Sequence, residues 1–251
     1  MHQVSAQLKR LRLSGVVETL EARQRQAIDG KWSYVDFLAR LLEDELERRA
    51  QKQLALRVRR SSVNTTKTLE GFDFSFNPSI SRQQILQLAS GEYLRLKRNV
   101  LICGPRGVGK SHLAQALGHE ACRQGYNVVF VSTHKLLQHL NGGRADGSYA
   151  RRLETYLRPD VLILDDFGLR PLTPPSPEDM YEIIAERYEK GSIVLTSNRA
   201  PSEWPDLFGN PLLASAGLDR LAHHAERVVI TGRSFRAAPR SSSTSAPPDV
   251  G

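Results

Sequence analysis

Apolar residues recur at three- and four-residue spacing through the first sixty positions and in unbroken runs of four or five after position 98. The chain therefore reads as two regions built on different periods. In the first, Leu8, Leu11, Leu13, Val16, Val17 and Leu20 lie at helical spacing, interrupted by Gly15, and Asp29-Gly30 marks a turn. Ser33 precedes a run through Phe37, Leu38, Leu41 and Leu42, with Asp36 three residues on, a capping box with Asp in place of Glu. Leu46, Ala50, Leu54 and Val58 then repeat every four residues and predict an apolar line along a helix. Residues 1–60 are expected to form a small all-α domain. The polar, β-branched stretch 61–68 is expected to be a linker.

The second region, 69–236, alternates apolar runs with helical patterns. Runs at 99–103, 127–131, 161–164, 192–196 and 227–230 read as strands. Helices are predicted from His112, over 134–140, over 148–157 and from Pro177 to about 190, with a glycine loop at Asn141-Gly142-Gly143. Fully apolar strands joined by helices imply a parallel five-stranded sheet covered on both faces, a three-layer α/β sandwich. The Ser- and Pro-rich stretch 237–251 is expected to be disordered.

Between the first strand and its helix stands Gly104-Pro105-Arg106-Gly107-Val108-Gly109-Lys110-Ser111, a match to G-x-x-x-x-G-K-[ST]. Strand, glycine loop and helix are what a phosphate cradle needs: backbone N–H groups turn inward and the helix N-terminus adds partial positive charge. Lys110 is expected at the β- and γ-phosphates of ATP and Ser111 at Mg²⁺, with His112 completing the nucleotide-contact set. A chance glycine turn would not bring this flanking context. The run 161–164 ends in Asp165-Asp166, the pattern of a Walker B strand. Asp165 is expected to hold Mg²⁺, directly or through water, and Asp166 to orient or deprotonate the attacking water; a loop cap is the alternative. Asn198 follows the fourth strand and is read as bridging the γ-phosphate and that water, with a turn residue as the alternative. Arg220 is a candidate arginine finger, useful only in a neighbouring subunit's site; the alternative is a surface ion pair with Asp219 or Glu226. Phe72, Phe74 and Phe76 alternate with Asp73 and Ser75, so an extended segment would present three rings on one face. They are read as core, with adenine contact as the alternative.

Charge then changes the picture. Of 251 residues 25% are charged and 40% hydrophobic, ordinary for a globular protein, but the formal net charge of +8 points to a polyanionic partner. Arg48, Arg49, Lys52, Arg59 and Arg60 fall within roughly 120° opposite the predicted apolar line at the helical period. That arc fits a DNA backbone or a merely solvated face, and the nucleotide-driven domain that follows favours double-stranded DNA. No apolar run approaches the roughly 18–20 residues of a membrane span and no signal-peptide h-region is present, so a cytoplasmic protein without membrane attachment is expected. Cys103 and Cys122 fall in a predicted strand and helix and are read as small buried hydrophobes.

Together these segments resemble the AAA+ ATPases of the helicase-loader branch, and most of all the IstB-like proteins, ATP-binding helpers encoded in insertion sequences beside their transposase. The resemblance is carried by Leu11-Arg12-Leu13-Ser14-Gly15, Phe72-Asp73-Phe74, the glycine loop, Asp146-Gly147-Ser148-Tyr149-Ala150, Asp165-Asp166-Phe167-Gly168-Leu169, Asp219-Arg220-Leu221 and Gly232-Arg233-Ser234-Phe235-Arg236. It implies an ATP-dependent homo-oligomer with ATP between subunits that bends target DNA, recruits the transposase and stimulates its strand transfer. Hydrolysis would release or remodel the assembly, and the helical N-terminal part would meet DNA and partner. It also implies a sensor role for Asn198 and a finger role for Arg220. Gly-Arg-Ser at 232–234 stands where the family usually has Gly-Glu-Ser, and the tail is longer than expected. No helical lid follows the fifth strand, as in the family. A replicative helicase loader shares the same core and is the alternative function. A P-loop kinase would need an acceptor pocket and a closing lid, and no segment supplies them.

Overall fold

The computed structural model describes residues 2–235, so the predicted tail lies outside the described residues. The chain divides into two compact units, Met1–Arg60 and the part beginning at Ser61.

The first unit holds α1 (His2–Arg10), α2 (Ser14–Asp29) and α3 (Tyr34–Ser61). Ser33 caps α3, its Oγ accepting from the Asp36 N–H at 3.1 Å. Asp36, one methylene shorter than Glu, binds the Ser33 hydroxyl at 2.6 Å and does not reach back to the cap's backbone. Leu13, before α2, offers no capping side chain. Glu45 of α3 serves instead, accepting from the Gly15 N–H at 2.6 Å. Gly15 is thus no interruption: a Cβ there would stand 2.8 Å from the Glu45 Cα.

The predicted apolar line on α3 is not the packed face. Leu46 is 68% exposed, Ala50 is exposed and Leu54 half-buried, and only Val58 is buried. The inner face runs through Leu41, Asp44, Glu45 and Arg48, where ion pairs replace methyl contacts. Arg23 grips Asp44 through two bonds of 2.9 and 2.6 Å. The basic arc divides accordingly: Arg48 pairs with Glu18 and donates to the Ser14 Oγ at 3.1 Å, and Arg49 pairs with Glu45 at 2.7 Å. Lys52, Arg59 and Arg60 remain exposed. The Arg23 hydrogen bond holds the Asp44 carboxyl down at about 2 against burial, below its ordinary 3.8. A depressed carboxylate pKa stabilises the fold above the unfolded value and ceases to do so as pH falls through the folded one. Asp44→Asn is therefore expected to flatten the acid limb of stability between about pH 4 and pH 2. Thermal melts of the full chain across that range check it, and identical slopes would refute it.

The second unit carries β1 (Val100–Cys103), β2 (Val128–Ser132), β3 (Val161–Phe167), β4 (Ser192–Ser197) and β5 (Glu226–Val229) in one parallel sheet of order β2-β3-β4-β1-β5. Its helices are α4 (Arg82–Ala89), α5 (Glu92–Arg95), α6 (Lys110–Arg123), α7 (Thr133–Ala145), α8 (Tyr149–Leu157), α9 (Ser176–Arg187), α10 (Pro205–Phe208) and α11 (Pro211–Ala222). Side chains alternate across the central strands. Leu162, Leu164, Ile193 and Leu195 join Leu136, Leu140, Met180, Ile183, Trp204 and Phe208 in one core, while Ile163 meets α6 at Gly118 on the other face. The architecture is the AAA+ P-loop sandwich preceded by a helical region. Because β1 lies beside β4, and β4 beside β3, the carboxyl ends of three strands distant in sequence meet at one edge.

Two local expectations fail, and the linker segment has contacts of its own. Gly142 and Gly143 lie inside α7, which runs on to Ala145. The Phe72–Phe76 segment forms no strand and its rings are half-buried rather than core. Residues 61–68, expected as a linker, lie along α6: the Gln115 Oε1 accepts from the Asn64 N–H at 2.9 Å and Val63 is buried. The Asp146-Gly147-Ser148 motif is a clamp between α7 and α8. Asp146 accepts from Ser148 and pairs with Arg152 at 2.5 Å, and Arg152 donates to the His139 carbonyl at 2.7 Å. Among the described residues no helix is long and apolar enough to cross a membrane.

Candidate functional site

All four residues of β1 are buried, which fixes where its end delivers the glycine loop. Gly104 donates its N–H to the Ser197 carbonyl of β4 at 3.1 Å. It passes so close to the chain after β5 that a Cβ would lie 2.2 Å from the Ile230 oxygen, so only glycine fits. Gly104 and Pro105 form the back of the loop. Arg106 through His112 line a cavity of about 660 Å³ at the sheet edge. Gly109 precedes α6 without a side-chain cap, which leaves the first-turn N–H groups of α6 for a ligand.

Lys110 is buried, and its Nζ donates to the Pro105 carbonyl at 2.7 Å and to the Asn198 Oδ1 at 2.6 Å. Two residues 88 positions apart thus meet at hydrogen-bond distance. Asp165, Asp166 and Asn198 all line the same cavity. Asp165 Oδ1 accepts from the Thr196 hydroxyl at 2.5 Å, and Thr196 Oγ1 in turn accepts from the Asp166 N–H at 3.0 Å. Thr196 therefore links both aspartates to the neighbouring strand. Its sign in the sequence is slight, a hydroxyl after the apolar run Ile193-Val194-Leu195. Asp166 adopts φ +56° where the β3–β4 register breaks between Leu164 and Phe167. Left-handed backbone at a non-glycine residue costs on the order of 1 kcal/mol.

Ser111 and Asp165 supply hard oxygen donors in one cavity, a set that suits Mg²⁺, which retains waters and takes phosphate oxygens. His112 Nε2–H donates to the Thr68 carbonyl at 3.0 Å and its ring meets Phe72 edge-on at 5.0 Å. Burial holds its pKa below the ordinary value, so it is a neutral prop between α6 and the 61–68 segment. Burial also pushes the Cys103 thiol up to about 11, which keeps it a small neutral hydrophobe beside the loop. Phe72 and Phe76, read as core, instead line the cavity. Arg220 does not. It sits on α11, donates to the Ala216 carbonyl at 2.8 Å and lies over the Tyr181 ring at 5.7 Å. Of the two acids named for the alternative ion pair, Glu226 pairs instead with Arg98 at 3.6 Å.

The chain is similar to several known proteins. An insertion-sequence ATP-binding protein of Mycobacterium tuberculosis is 42% identical over 93% of this chain and 93% of its own length. The replication initiator DnaA, solved with AMPPCP and single-stranded DNA, superposes with a TM-score of 0.57 at 26% identity over 67% of this chain, which spans 51% of the initiator. The DnaC helicase loader gives 0.51 at 25% identity over 59% of this chain and 86% of the loader. The profile of the family described as IstB-like ATP binding protein matches residues 6–243. The chain belongs to the IstB-like ATP binding protein family.

Proposed function

We propose that this protein is a cytoplasmic, ATP-hydrolysing helper of a transposase that assembles on double-stranded target DNA, bends it and stimulates transposition. The observation that carries the reading is the convergence of Lys110, Ser111, Asp165 and Asn198 on one cavity behind a glycine loop. In this reading the loop amides and Lys110 grip the β- and γ-phosphates. A charged phosphate oxygen is a stronger acceptor for the ammonium than the neutral oxygens of Pro105 and Asn198. Asn198, relieved of Lys110, turns its amide to the γ-phosphate and the water. Asp166 orients or deprotonates that water from its fixed backbone. Ser111 and Asp165 hold Mg²⁺, which when bound neutralises charge on the β- and γ-oxygens. Arg220, outside its own subunit's cavity, is suited to act in a neighbour's, with ATP between subunits.

The net charge of +8 and the exposed Lys52, Arg59 and Arg60 favour a DNA partner. The relatives named for insertion sequences favour a transposase over a replicative helicase, although the DnaC likeness keeps the loader as the second reading. Duplex binding and assembly size, measured with ATP, with ADP and without nucleotide, test the proposal. Tight binding and the large assembly are expected with ATP alone; equal behaviour in all three states would overturn it. Pull-downs with a transposase and with a hexameric helicase separate the two partners.

A further inference from the structure

The segment 232–235 has no part in the chemistry above, yet it lies on the phosphate loop. Ile230 is buried and donates to the Cys103 carbonyl at 2.8 Å. The Thr231 carbonyl accepts from the Asn77 Nδ2 at 2.6 Å, and its N–H donates to the Ser79 Oγ at 3.1 Å. Ser234 then packs against Gly107, and the Phe235 N–H donates to the Gly107 carbonyl at 2.9 Å. The Phe235 ring stands edge-to-face on Phe76 with centroids 4.8 Å apart and an interplanar angle of 80°. Phe235 is nonetheless 58% exposed. Both rings line the same cavity as Lys110 and Asp165, together with Ile80 and Val108. The cavity therefore carries two chemistries, a cationic and metal-binding set suited to phosphates and an aromatic, aliphatic set with no anion-binding role.

We propose that Phe76 and Phe235 form the seat of the nucleobase, and that residues 232–235 are a strap which the bound base fixes against the phosphate loop. The inference rests on the nucleotide reading above. A half-open aromatic ring pinned by its own backbone offers a flat apolar face without further ordering, the surface on which a purine stacks. Phosphate grip and base seat are coupled through one hydrogen bond, from Phe235 to Gly107.

Calorimetric titration of ATP and of inorganic tripolyphosphate into the wild type, Phe235→Ala and Phe235→Tyr tests this. The exposure of Phe235 makes loss of folding an unexpected result of the alanine change, and a melting curve verifies it. Phe235→Ala is expected to weaken ATP roughly tenfold while leaving tripolyphosphate unchanged, with Phe235→Tyr restoring ATP affinity. ATP affinity untouched by Phe235→Ala overturns the base seat alone. Equal loss for ATP and tripolyphosphate also overturns it, because the strap would then only shape the phosphate loop. A wild type that takes up neither ligand removes the nucleotide reading itself, and the seat with it.

Discussion

Lys110→Ala is expected to lower affinity for ATP at least about a hundredfold while the fold survives. Lys110 is 5% exposed, so its charge has little water to stabilise it. Two of its hydrogen bonds go to the neutral oxygens of Pro105 and Asn198. A triphosphate replaces these with anionic acceptors, and hydrogen bonds to charged groups contribute about 1.5–3 kcal/mol each. Two such bonds supply the hundredfold factor. Lys110→Arg is not expected to rescue, because a planar five-donor fork cannot occupy the place of a compact ammonium between the loop and β4. Calorimetry with ATP measures the effect, and near-wild-type affinity in Lys110→Ala would show that the loop does not hold the triphosphate through this residue.

What the sequence displays of this site is what local spacing encodes. The strands are legible because central parallel strands are buried on both faces and become continuous apolar runs, as in 161–164. The glycine loop is legible because its chemistry is confined to eight consecutive residues. The contact between Lys110 and Asn198 is not, because it depends on β4 lying beside β1, and strand order leaves no periodic trace. Thr196 is hidden for the same reason: its two carboxylate-side contacts cross from β4 to β3. The helix 205–208 is too short for a period to show, and on 211–222 apolar residues fall on exposed and buried sides alike, Leu212 outside and Leu221 inside, so no single stripe stands out. On α3 the periodicity itself misleads. Leu46 and Ala50 repeat perfectly but stay exposed, whereas the inner face is closed by Arg23–Asp44 and by Glu45 on the start of α2. Hydrophobic pattern cannot reveal a face that packs through charge. The glycine pair at 142–143 likewise reads as a loop, although α7 carries it in helical form up to the Asp146 clamp.

Arg187→Met is expected to cost about 3–5 kcal/mol of folding stability, a large part of the 5–15 kcal/mol that holds a typical domain. The Arg187 side chain is among the largest fully buried ones, and it donates to five backbone carbonyls. Nη1 reaches the oxygens of Tyr156, Leu157 and Pro159 at 2.8–3.0 Å, and Nη2 those of Asp160 and Ser192 at 3.2 and 2.9 Å. Burial, partly offset by Asp160, pushes its pKa down to about 10, so it stays charged at neutral pH. Methionine matches the volume but leaves those carbonyls to find other donors where water is scarce, and each orphaned buried acceptor costs about 1–3 kcal/mol. Arg187→Lys recovers only part of this, since one ammonium cannot span five acceptors set around a planar fork. Two of these carbonyls, of Tyr156 and Leu157, end α8, those of Pro159 and Asp160 directly precede Val161, and that of Ser192 opens β4, so the bonds fix the starts of β3 and β4. These two strands carry Asp165 and Thr196 to the site, and Asn198 follows directly on β4. A loosened start of either strand shifts its far end, so ATP affinity is expected to fall along with the melting temperature, by on the order of 10 °C for a domain of this size. Denaturant and thermal unfolding of Arg187→Met and Arg187→Lys settle the matter: unchanged midpoints in both would mean that the five bonds are replaced by others, and that the strands hold their register without them.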